Sequence, residues 1–95
     1  MAAIGKLTLE LELHDAHSLK DKRHWVRGLK DRLRAGHNLA VAEIADQDLL
    51  NRGVVAAVTV SGSRENAAKV LESAERAAAA FLGPNLVSAE IDWLG

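Results

Sequence analysis

Residues 4 to 13 constrain the fold most. Leu7, Leu9, Leu11 and Leu13 alternate strictly with Lys6, Thr8, Glu10 and Glu12. Period two with one polar side is the signature of a strand that buries one face and leaves the other in water. A chain that begins this way needs partner strands on both flanks and something apolar laid over the leucines.

The rest of the sequence supplies both. Ser18 stands where a hydroxyl can accept a bond from a free N–H of a first helical turn. A helix is expected from there to Arg34, closed at Ala35-Gly36, where glycine takes the left-handed cap conformation. At 100° per residue Leu19, Val26, Leu29 and Leu33 share an arc. Residues 39 to 45 read as a second strand whose alternation falters around Glu43, the mark of a bulge. Residues 46 to 53 form a polar connector, and Val54 to Ser61, apolar on both faces, reads as a central strand. Ser63 opens a second helix with an apolar stripe of Ala67, Val70, Leu71, Ala74, Ala78 and Phe81, ended by Gly83-Pro84. Leu86 to Leu94 is the last strand.

The order β-α-β-β-α-β resolves into an α+β, ferredoxin-like sandwich: a four-stranded antiparallel sheet, order 4-1-3-2, with both helices on one face. Residues 1–95 are expected to form this single domain. Trp25 is assigned to helix–helix packing beside Phe81, and Trp93 to the core. The uncovered sheet face should carry Glu10, Glu12, Glu90 and Asp92. An acidic face without aromatics is unsuited to base stacking.

The chain has no cysteine, which removes disulfides, thiolate nucleophiles and thiolate metal sites. No basic segment followed by an apolar run opens the sequence, and no stretch approaches the roughly 20 apolar residues of a bilayer span. A cytoplasmic protein without membrane contact is expected. The net charge of −1 hides an asymmetry: residues 18 to 37 hold seven basic and two acidic residues, net +5, and the remainder five basic and eleven acidic, net −6.

Lys20, Arg23, Arg27, Lys30 and Arg34 fall within an arc of about 80° on the first helix, directed away from the second helix. Five cations with no acid among them exceed what solubility needs, and they suit phosphates. A polar cluster of His17, Gln47, Asp48 and Arg52, with Lys20 and Asp46, is expected at the loop end of the sheet. There Asp46 and Asp48 are read first as turn formers paired to Arg52, Lys20 or Lys22, and second as an acid–base or cation site. His14, His17, His24 and Asp15 have no spacing that fixes ligand geometry and are read as surface residues. Leu49 and Leu50 either cap the core or mark a partner contact. No Gly-rich phosphate loop, nucleophile elbow or zinc motif occurs, so a non-enzymatic protein without cofactor is expected.

The run Ala16-His17-Ser18-Leu19-Lys20-Asp21-Lys22-Arg23, followed by Val41-Ala42-Glu43-Ile44, Gln47-Asp48-Leu49 and Arg52, resembles the YlxP-like family of small bacterial proteins of unknown function. The resemblance spans nearly the whole chain. It implies a ferredoxin-like fold and, from genes lying near those for ribosome maturation, a role close to RNA or the ribosome. The sequence departs from the family pattern at Leu50, where an aromatic is common, and at Gly53, where alanine is usual. Three readings follow: an accessory protein touching structured RNA through the first helix, a homodimeric interaction module, or a small-ligand regulatory domain.

Overall fold

The computed structural model describes residues 1–95. Its elements are β1 (Ala3–Glu12), α1 (Leu19–Arg34), β2 (Ala40–Ala45), β3 (Arg52–Ser61), α2 (Arg64–Leu82), a 3-10 turn (Gly83–Asn85) and β4 (Leu86–Trp93). The strands form one antiparallel sheet in the order β2-β3-β1-β4, the expected order read from the other edge. Leu7 stands opposite Ala57 and Ile91, and Leu9 opposite Val55 and Ala89, so the β1 leucines run down the middle of the covered face. Val26, Leu29 and Leu33 of α1 and Leu71, Ala74, Ala78 and Leu82 of α2 close over them in one core. Burying a leucine side chain fully is worth about 1.5–3 kcal/mol, so β1 is the strand the fold can least do without.

Both helices start on serine caps. Ser18 Oγ accepts from Asp21 N–H (3.1 Å), and Asp21 returns a carboxylate oxygen to His17 N–H (3.0 Å). Ser63 Oγ accepts from Asn66 N–H (3.2 Å). α1 ends at Arg34, with Ala35 N–H donating to the Asp31 carbonyl, and Gly36 just beyond holds φ +75°. Between the helices Gly28 permits a close approach: a Cβ there would sit 2.9 Å from Phe81 Cζ. The space lets Phe81 meet Trp25, ring centroids 5.3 Å apart, under the Arg32 guanidinium at 3.9 Å. Trp93 packs against the core with Arg64 over its ring.

The structure departs from expectation in three places. β3 starts two residues early, at Arg52, because β1 pairs with it along its full length. The irregularity at Glu43 is the expected bulge, the β2–β3 register slipping between Glu43 and Ala45 so that Ile44 is the extra residue. A second slip, between Glu10 and Leu11 on the β4 side, had no signal in the sequence. The third departure is on α1: Leu19 is 42% exposed, and the buried arc consists of Lys22, Val26, Leu29 and Leu33. On the open face β1 and β4 carry the expected acids. The adjoining β3 positions, however, are Val54, Ala56, Val58 and Val60, so that face is acidic on one half and apolar on the other.

Candidate functional site

Lys22 occupies a core position of α1 and is 2% exposed. Burying an ammonium is costly unless it is paired and hydrogen-bonded. Its partner comes from β2, where Glu43 follows Val41 at period two and so also faces inward, opposite Val55. Lys22 Nζ lies 3.0 Å from Glu43 Oε2, in ion-pair contact without hydrogen-bond alignment, and it donates to the Asp46 carbonyl. Asp46 holds φ +60°, a conformation that asparagine and aspartate tolerate better than most residues. The pair thus ties α1 to β2 and to the start of the connector. Gly53, across from Leu11, leaves room for it: a Cβ there would stand 3.2 Å from Glu43 Oε2.

Above this floor lies a groove of about 360 Å³ between α1 and the β2 side of the sheet. α1 contributes Leu19, Lys22, Arg23, Val26, Arg27 and Lys30; β2 contributes Glu43; the connector contributes Gln47 and Asp48. A second hollow on the outer side of the same helix is lined by Lys20, Arg23, His24 and Arg27. The two share Arg23 and Arg27, so the cationic surface is continuous. The chain forms two ion pairs, Lys22–Glu43 and Lys69–Glu65, and none of the five stripe cations takes part in either.

Arg34 behaves differently from the rest of the stripe. Its Nη2 donates to the Val41 carbonyl (3.0 Å), and Gln47 Nε2 donates to the Glu43 carbonyl (2.9 Å). Alternate carbonyls of a strand point to the same side, so these two side chains cover acceptors along the outer edge of β2. An edge covered in this way is blunted against pairing with another strand.

The structure divides the expected loop-end cluster. Gln47 and Asp48 join the α1 cations in the groove, whereas Arg52, next to Glu12 in the β1–β3 register, lines a hollow with Glu10 and Glu12. His17 is exposed, and its backbone belongs to the α1 cap. The expected pairing of Asp48 with Arg52, Lys20 or Lys22 does not form. Asp48 is exposed with no side-chain hydrogen bond or ion pair, because the Lys22 ammonium is taken by Glu43 and the Asp46 carbonyl. No three His, Asp or Glu side chains converge in a metal-binding arrangement. Leu49 and Leu50 are exposed, which selects the surface reading over the core-capping one. Lys22 and Glu43 were missed as a pair. The available signal was a lysine at the i, i+4, i+7, i+11 core spacing of a helix, and a glutamate in step with the inward residue of a strand.

Among solved structures the chain is similar to a de novo designed protein, Foldit4 (TM-score 0.63, 9% identity, covering 100% of this chain and 98% of that one). It is also similar to part of the Bacillus subtilis YxeP protein, a dinuclear metal-binding peptidase of the M20 family (TM-score 0.54, 13% identity, 98% of this chain but 26% of the peptidase). At these identities the likeness is one of fold alone. No curated protein matches the sequence. No helix is long and apolar enough to cross a membrane. Residues 4–91 match the family described as "Protein of unknown function (DUF503)", and the chain belongs to that family.

Proposed function

We propose that this is a cytoplasmic, non-enzymatic accessory protein that contacts structured RNA, free or within a ribonucleoprotein such as the ribosome, through the groove side of α1. One observation carries the reading: Lys20, Arg23, Arg27 and Lys30 stand side by side without a carboxylate partner. They span about 15 Å of helix. Like charges at i,i+4 cost a few tenths of a kcal/mol per pair, and phosphates remove that cost while releasing counterions. The resemblance to the YlxP-like family points the same way. The open sheet face carries no aromatic side chain, and Trp25, Phe81 and Trp93 pack against the core, so phosphate contact suits the molecule better than base stacking on the sheet.

The test is the pair Arg27→Glu and Lys30→Glu. Both side chains lie on the groove rim, so the melting temperature is expected to stay within a few degrees of wild type. Affinity for structured RNA is expected to fall about tenfold or more, with a flatter salt dependence. Wild-type protein that shows no salt-sensitive RNA binding at low ionic strength removes the proposal.

A second reading, homodimer formation, draws on the apolar half of the open face at Val54, Val58 and Val60. Sedimentation separates two kinds of dimer. One that survives high salt uses this face; one that dissociates with salt joins the basic stripe to the acids of α2.

A further inference from the structure

We propose that the groove between α1 and the connector holds one unpaired nucleotide, its phosphate on Arg23, Arg27 and Lys30 and its base against Asp48. The proposal builds on the phosphate-contact reading and adds a ligand unit and a base preference to it.

Backbone contact by itself needs only a convex row of cations. The chain has instead a cleft of about 360 Å³, near the lower end of the range for small-ligand sites. Its two walls differ in charge. The α1 wall carries three cations that have no ion-pair partner, whereas the connector wall carries Asp48, a carboxylate without hydrogen bond or ion pair. Lys22 and Glu43 neutralise each other in the floor. A ligand that satisfies both walls is anionic at one end and a hydrogen-bond donor at the other. Inorganic phosphate meets only the first requirement, and its charge is repelled by the second wall.

A nucleotide meets both. An ionised carboxylate accepts two parallel bonds. Guanine offers two adjacent donors, N1–H and the N2 amino group. Adenine and cytosine present one exocyclic amine beside an acceptor. Uracil presents a single N–H between two carbonyl oxygens that repel a carboxylate. The expected order is therefore guanine first and uracil last. The edge that Asp48 would meet is occupied in a duplex, so the nucleotide must be unpaired. Between the walls, Leu19 and Val26 give the ribose and base an apolar surface. Gln47 is tied by its bond to the Glu43 carbonyl, which holds the connector wall beside the groove.

The test compares a short all-uridine RNA, the same RNA with one central guanosine, guanosine monophosphate and inorganic phosphate, against wild type and Asp48→Asn. Binding is read at low salt by anisotropy or calorimetry. The guanosine-containing RNA is expected to bind wild type about fivefold more tightly than the all-uridine RNA. Asp48→Asn should abolish that ratio without lowering the melting temperature, because Asp48 has no partner to lose. Guanosine monophosphate should compete and inorganic phosphate should not. Equal binding of the two RNAs, unchanged by Asp48→Asn, overturns the nucleotide site while leaving backbone contact standing. Binding of guanosine monophosphate without either RNA supports the site and assigns it to a free nucleotide. Absence of binding by every probe overturns the nucleotide site, and the comparison of wild type with Arg27→Glu and Lys30→Glu on structured RNA decides the backbone reading separately.

Discussion

Replacing Lys22 by methionine removes an ammonium and keeps an unbranched chain of similar length, so it isolates the buried charge. Removing one member of a buried pair costs about 3–5 kcal/mol, chiefly because the other charge is left uncompensated. The Glu43 side chain retains 19% of its exposure and water reaches part of it, which places the cost near the lower limit, about 3 kcal/mol. The Asp46 carbonyl also loses its donor, but Asp46 is exposed and rehydrates cheaply. For a domain of this size about 3 kcal/mol corresponds to a melting temperature lower by roughly 12–24 °C. Urea denaturation followed by the fluorescence of Trp25 and Trp93, with circular dichroism as a second probe, measures the change. The control is Lys22→Met combined with Glu43→Leu, which exchanges the pair for apolar groups and is expected to return within about 1 kcal/mol of wild type. A Lys22→Met cost below about 1 kcal/mol would refute the reasoning, as would a double variant no more stable than the single one. The same substitution frees the start of the connector, so amide exchange at residues 46 to 51 should accelerate beyond what the global loss of stability explains.

Two further outcomes are expected. Gly5 is buried near the start of the central strand β1, and a Cβ there would stand 2.6 Å from Leu71 Cδ1 and 3.0 Å from Trp93 Cζ3. Gly5→Ala should therefore destabilise the protein by about 1–3 kcal/mol in thermal denaturation, the cost of overpacking a closed core, whereas no loss would mean that Leu71 moves aside freely. Arg34→Ala with Gln47→Ala uncovers the Val41 and Glu43 carbonyls on the β2 edge. That variant should self-associate at concentrations where wild type does not, by light scattering or sedimentation, and unchanged behaviour would show that the two side chains do not guard the edge.

The sequence by itself determined the order of elements and hence the sheet. Leu7 to Leu13 at period two, serines ahead of both helices and Gly36 and Gly83 behind them are local signals, each set by backbone geometry within a few residues. With two helices and one half-buried sheet, connection rules left little choice of arrangement. The α1 stripe was legible for the same reason, since helical period alone puts positions 20, 23, 27 and 30 on one side.

What it did not determine was which charges meet across elements. Lys22 looked like one more surface cation and Glu43 like a disturbance in a strand. Only packing α1 over β2 brought positions 21 residues apart to 3.0 Å and turned two costly burials into one pair. The same packing sent Arg34 to the β2 edge, moved Arg52 away from Asp48 and left Asp48 without a partner opposite Arg23, Arg27 and Lys30. A local pattern states which side of its own element a residue occupies. Partners across a fold follow from the rotation of one element against another, and core packing sets that rotation, here through Val26, Leu29 and Leu33 entering the core shared with α2 and the sheet.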